Sequence, residues 1–166
     1  VTPDLLVLGK GMTSGYVPIA AVAIAASLYG PLSAHSFPFN LTNDGHPLAM
    51  AAGLAVLDEL VSNDIFQVVR ARGSYLQAEL TSAIGDLSSV VRIRGAGLML
   101  GIELQSEHGE PWQYWPGLET LRLDLEERGL LISTGRSAII LAPPLIISEE
   151  ECLEIVQIVK SALEAI

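Results

Sequence analysis

Lysine occurs only twice in this chain of 166 residues, at Lys10 and Lys160. Lys10 stands between Gly9 and Gly11, directly after the apolar run Leu5 to Leu8. A lysine at a strand end is ordinarily a solvated charge or a side chain snorkelling to water. Three features point elsewhere. The stretches on either side are strongly apolar, the glycines allow backbone to approach closely, and Asp4 is the only acidic residue nearby. In such a setting an ammonium is expected to be buried, and burial favours the neutral amine. A neutral amine attacks a carbonyl and forms a Schiff base.

Two kinds of ligand suit a Gly-bracketed lysine. One is a nucleotide phosphate in a Walker-type loop. That pattern fails here, because Gly11 rather than Ser or Thr follows Lys10 and no glycine stands five positions before Gly9. The other is pyridoxal phosphate, whose aldehyde a lysine holds and whose proton transfers that lysine then serves.

The composition narrows the alternatives. Half of the residues are hydrophobic and the net charge is −10, with a mean hydropathy of +0.45. This is a folding chain with a sizeable core, and its apolarity also suits buried subunit contact. The acidic balance argues against nucleic acid and against an anionic membrane surface. The single cysteine, Cys152, excludes a disulfide framework and a cysteine zinc site, and fits a reducing, cytoplasmic setting. His35, His46 and His108 have no metal-ligand spacing. The apolar run from Ile19 is too short to span a bilayer. The chain opens at Val1 and passes almost at once into a strand, which reads as a piece of a longer polypeptide or a processed product.

The elements that must position Lys10 follow from periodicity. Val1 to Leu8 and Val17 to Ala25 predict continuous apolar strands of a sheet covered on both faces. Pro31 to Asp44 reads as a loop. Pro47 opens a helix that is apolar nearly all round and is expected to be buried. Asn63 or Asp64 is expected to cap a second long helix ending near Ile84. Beyond it the texture becomes amphipathic α+β. The strand candidates are VVRIRG, LMLGIEL, LLIS and AIILAPP, and a helix over Gly117 to Arg128 stops at Gly129. Ser148 and Glu151 form a capping box for the last helix. The domain boundary is drawn inside the second long helix, dividing residues 1–68 from 69–166.

Several of these stretches together resemble class III, or omega-type, aminotransferases, which are pyridoxal-phosphate enzymes of fold type I. TPDLLVLGKGMTSGYVPIAAV resembles the family's lysine segment, and LTNDGHPLAMAAGLAVLD its Thr-x-x-Gly-His-Pro stretch with the following helix. RIRGAGLMLGIEL resembles its small-domain hairpin, and ILAPPLIISEEE its C-terminal signature. The matches run in order over nearly the whole chain.

The resemblance implies roles. Lys10 matches the Schiff-base lysine, and Thr42 the threonine that binds the cofactor phosphate across a dimer interface. His46 is expected to order its loop, and Arg92 and Arg94 carry no catalytic role. The family's pyridine-pairing aspartate, its Gly-Ser phosphate turn and its ring-stacking aromatic all precede the lysine, where this chain has nine residues. The resemblance therefore covers the C-terminal part of such an enzyme: the end of the large α/β domain in residues 1–68 and the small α+β domain in 69–166. A partner or longer chain would supply the N-terminal half, within a family-like homodimer. Many family members also carry an arginine that pairs with the substrate carboxylate; at that position this chain has Ser133, with Arg136 three residues on as its substitute. The Gly135-containing loop from Ser133 to Ser137 is expected to flex enough to swing Arg136 inward.

The expected activity is ping-pong transamination, moving an amino group from an amine or amino acid to a keto acid or aldehyde. The alternatives are a mutase, lyase or decarboxylase using the same cofactor and lysine, or a non-catalytic subunit lacking the N-terminal half.

Overall fold

Two strands and one tight turn frame Lys10. The computed structural model describes residues 2–34, 41–106, 109 and 116–165, and the chain divides into two compact units, Val1–Asp64 and Ile65–Ile166. The division falls at the start of a helix, so the whole of that helix belongs with the second unit.

In the first unit, β1 (Leu5–Leu8) pairs antiparallel with β2 (Ala21–Ile24), from Leu5 opposite Ile24 to Leu8 opposite Ala21. Both strands are shorter than their apolar runs. Pro18 has no N–H to give to a ladder, and the N–H and carbonyl of Val17 are taken by the side chain of Thr13. A short helix, α1 (Ala26–Ser33), follows and includes Pro31, the residue read from sequence as the start of a loop. Residues 35–40 of that loop lie outside the described residues. The helix α2 (Pro47–Ser62) begins with Pro47 in its first turn, where a missing N–H costs nothing. Asn63 closes α2 rather than opening the next helix: its side-chain amide donates to the Glu59 carbonyl at 3.2 Å and to Glu59 Oε1 at 2.6 Å.

Burial in this unit departs from the expectation. Neither strand is covered on both faces, and α2 buries only Ala49 and Gly53. Leu54 is 62% exposed and Val61 69%. A two-stranded sheet and one eight-residue helix are too few layers to cover an all-round apolar helix.

The second unit builds its own core. Its helix α3 (Ile65–Ile84) leads to a four-stranded antiparallel sheet ordered β3-β4-β6-β5. The strands are β3 (Val90–Ala96), β4 (Met99–Leu104), β5 (Ser133–Gly135) and β6 (Ala138–Leu141), with α4 (Pro116–Glu127) before β5 and α5 (Glu149–Leu163) last. β4 alternates cleanly, burying Leu100, Ile102 and Leu104. These meet Leu76 and Leu80 of α3, Leu121 and Leu125 of α4, and Cys152, Val156 and Val159 of α5 in one cluster. The buried positions of α5 recur at helical spacing, giving the stripe its sequence predicted.

Local signals hold at both ends of these helices. Ser148 Oγ accepts from the Glu151 N–H at 3.1 Å, and Glu151 Oε2 accepts from the Ser148 N–H at 2.7 Å. After α4, Gly129 takes φ +93°. The Leu130 N–H reaches the Leu125 carbonyl at 2.8 Å and the Gly129 N–H the Glu126 carbonyl at 3.0 Å, a Schellman closure. Among the described residues, no helix is long and apolar enough to cross a membrane.

Candidate cofactor-lysine site

Lys10 is the first residue of a 3-10 turn, Lys10–Thr13, that begins one residue after β1 ends. Its backbone is left-handed, with φ +53°. For a residue with a side chain this conformation is uncommon and costs about 1–2 kcal/mol, so surrounding bonds must enforce it. The loop supplies them. The Ser14 N–H donates to the Gly11 carbonyl at 3.1 Å, and the Tyr16 N–H to the Thr13 carbonyl at 3.0 Å. Thr13 is buried and its hydroxyl donates to the Val17 carbonyl while accepting from the Val17 N–H at 3.4 Å.

The Lys10 side chain is exposed, and no described residue bonds or pairs with its amine. This corrects the expectation of a buried amine: the residues of this unit do not cover it. The space around it is open, since a Cβ added at Gly11 would meet nothing within 4 Å. The other lysine is differently placed. Lys160 lies in the last turn of α5, 3.8 Å from the Glu164 carboxylate, where a cation offsets the helix dipole.

Thr42 lies in the same unit as Lys10, in the turn that leads into α2, and is exposed. The 3-10 turn of Lys10 packs on α2, so one helix joins the two loops. The Thr42 turn is ordered by Asp44. Its Oδ2 accepts from the Leu41 N–H at 2.8 Å, and its own N–H donates to the Leu41 carbonyl at 3.0 Å. Gly45 continues the turn at φ +64°. His46 contributes through its backbone instead, its carbonyl accepting from the Met50 N–H at 3.0 Å, and its imidazole makes no cap bond. Sequence reasoning missed both Thr13 and Asp44. The signal for Asp44 was present in the Asn43-Asp44-Gly45 run, a composition that favours a turn. Thr13 gave none, because its hydroxyl acts only once the loop has closed.

Arg136 is in the second unit, where the predicted flexible loop is a hairpin. Ser133–Gly135 forms β5, with Ser133 opposite Ile140 and Gly135 opposite Ala138. Arg136 and Ser137 are the two turn residues. Gly135 is held by strand pairing, so it supplies no hinge. Arg136 is exposed and has no ion pair among the described residues. Arg92 is engaged instead, with its Nε 2.5 Å from Glu103 Oε2 on the neighbouring strand, and Arg94 lies 3.9 Å from the same oxygen.

An amine without a partner among the described residues, on a turn with a fixed backbone, and an exposed hydroxyl at the head of the helix that turn packs on suit a cofactor carrying an aldehyde and a phosphate. The residues present fit pyridoxal phosphate as part of a site.

A family profile described as aminotransferase class III matches residues 1–163. Acetylornithine aminotransferase 1 of Bordetella bronchiseptica is 37% identical over 159 residues, covering 95% of this chain and 37% of the relative. The omega-aminotransferase of Caulobacter vibrioides is 34% identical over 168 residues, covering 98% of this chain and 37% of the relative. Among solved structures, a thermostable (S)-enantioselective omega-transaminase from Thermomicrobium roseum superposes with a TM-score of 0.89 at 32% identity, covering 99% of this chain and 38% of that one. An amine transaminase from an uncultivated Pseudomonas species, in its PLP-bound internal aldimine form, reaches 0.92 at 29% identity, with 99% and 39% covered. The chain thus spans about two fifths or less of the length of the relatives it matches. On the profile match and on these likenesses of sequence and fold, this chain belongs to the class III aminotransferases.

Proposed function

We propose that this chain supplies the lysine-bearing part of a pyridoxal-phosphate-dependent aminotransferase, which moves an amino group from an amine or amino acid to a keto acid or aldehyde. The observation that carries the reading is the class III aminotransferase profile over residues 1–163, which takes in Lys10, held at φ +53° one residue after β1 with no partner for its amine among the described residues. The relatives, all named as aminotransferases or transaminases, support transfer over mutase, lyase or decarboxylase chemistry and over a non-catalytic role.

When bound, pyridoxal phosphate supplies an electron sink for a carbanion at the substrate carbon. Lys10 Nζ supplies the covalent attachment to the cofactor's aldehyde carbon. The same nitrogen, once free, would hold and move the proton at the substrate carbon. Thr42 offers its hydroxyl and N–H to the phosphate of a neighbouring subunit's cofactor. Arg136 is the cation offered to a substrate carboxylate. Residues 1–68 act as the end of the large cofactor-binding domain, and 69–166 as the small domain. The exposed apolar residues of β1, β2 and α2 are covered by the N-terminal half of the enzyme, in a homodimer working in the cytoplasm.

The test is chemical trapping. The complete enzyme is reduced with borohydride in the presence of pyridoxal phosphate and digested, and the pyridoxyl adduct is mapped. The adduct is expected on Lys10. An adduct on Lys160, or an active yellow enzyme with none on Lys10, overturns the reading.

A further inference from the structure

Thr13 is the one buried polar residue among those described, at 1% exposure, and it closes the loop that carries Lys10. Val17 precedes Pro18, which disfavours a helical backbone there and keeps it extended. The N–H and the carbonyl of one extended residue point to the same side. Thr13 Oγ1 meets both of them, as the facing residue of a partner strand would. The loop is thereby tied across its width, from the end of the 3-10 turn to the approach of β2. Lys10 opens that turn in the left-handed region, and Ser14 and Gly15 follow it there at φ +49° and +82°. Three residues in that region within one short loop do not hold themselves. The turn's two backbone bonds fix its local shape, and Thr13 is the side chain that anchors it.

We propose that Thr13 is the positioning residue of the lysine loop: its hydroxyl, bonded to both polar groups of Val17, fixes the turn that aims the Lys10 amine. The proposal rests on the reading of Lys10 as the cofactor lysine. In this role Thr13, buried and bonded to Val17, acts through the loop.

Thr13→Val keeps the volume and the β-branch but removes both bonds, whereas Thr13→Ser keeps the hydroxyl. In the cofactor-free complete enzyme, the Val17 amide should exchange with deuterium faster in Thr13→Val than in wild type or Thr13→Ser. With cofactor at limiting concentration, Thr13→Val should lower the borohydride-trapped adduct on Lys10, and kcat with it, by about tenfold or more, the scale of a small misplacement of a reacting group. KM for the amine donor should change less, and Thr13→Ser should restore both. If Thr13→Val does not fold, Thr13→Ser and Thr13→Ala share the lost methyl and differ only in the hydroxyl, so Ser must exceed Ala by the same margin. Equal behaviour of the hydroxyl-bearing and hydroxyl-free variants overturns the proposal, as does an unchanged Val17 exchange rate. A wild-type adduct on Lys10 that Thr13→Val leaves intact overturns the positioning role alone. A wild-type enzyme with no adduct on Lys10 overturns the cofactor reading, and this role with it.

Discussion

Replacing Gly73 with alanine should destabilise the second unit, although alanine is the better helix former. Gly73 lies in the middle of α3, where alanine normally gains about 0.8–1 kcal/mol over glycine. A Cβ there would lie 2.1 Å from the Gly97 carbonyl oxygen and 2.2 Å from its carbon, in the turn joining β3 to β4. Both atoms are backbone, so no rotamer change relieves the clash. The turn and the helix must separate by about 1 Å to restore ordinary contact, and overpacking of this kind costs about 1–3 kcal/mol. The upper end applies, because Gly97 is itself confined: its own Cβ would lie 2.9 Å from Val69 Cγ1. The net effect is a loss of about 2 kcal/mol, the difference of the two terms. In urea unfolding followed by circular dichroism, the midpoint should fall by about 1 M with an unchanged slope. Gly101→Ala, on β4 of the same unit, is the control. Its Cβ would meet the Arg94 carbonyl oxygen at an ordinary 3.8 Å, so relief of glycine's entropy should leave it neutral or stabilised by up to about 1 kcal/mol. A Gly73→Ala protein as stable as wild type would refute the close-approach argument.

Ser148→Ala removes the side-chain arm of the capping box, leaves the Ser148 N–H to bond Glu151, and should cost about 1 kcal/mol in thermal or urea unfolding. The two bonds from Ser148 hold the Glu151 carboxyl below its ordinary range. The stability this contributes is present above the unfolded-state value and lost as pH falls through the lowered folded one; the backbone bond is the larger cause and survives the substitution, so a carboxyl NMR titration of Ser148→Ala should move Glu151 only part of the way back up. Burial pushes the Cys152 thiol up. Its contribution is complete below the unfolded value and lost as pH rises through the folded one, and a thiol reagent at mildly alkaline pH should label Cys152 only after denaturant is added. If Arg136 pairs with a substrate carboxylate inside the assembled enzyme, Arg136→Ala should weaken keto-acid acceptors by about 2–5 kcal/mol and leave amines without a carboxylate nearly unchanged. Equal changes in steady-state kinetics for the two substrate classes would remove Arg136 from carboxylate recognition.

What could be read from the sequence was whatever a few neighbouring residues settle among themselves. The Ser148–Glu151 box, the closure at Gly129, Pro47 at the head of α2 and the stripe of α5 each satisfy local backbone groups or follow helical spacing, so a short window of sequence contains the whole cause. The setting of Lys10, a cation between glycines just past an apolar strand, was legible for the same reason. Burial was not legible, because it depends on what else is packed nearby. Apolar residues along α2 demand a covering layer, yet among the described residues of this unit the 3-10 turn is the main element packed on the helix, and Leu54 and Val61 stay exposed. The pairing of Ser133–Gly135 needed a partner strand, which turned an expected flexible loop into a hairpin. Thr13 became a clamp only when folding brought Val17 to its hydroxyl, and Gly73 became indispensable only when the Gly97 turn came to rest on α3. Those contacts join residues across a closed loop or between distant elements, and only the tertiary structure decides which of them are made.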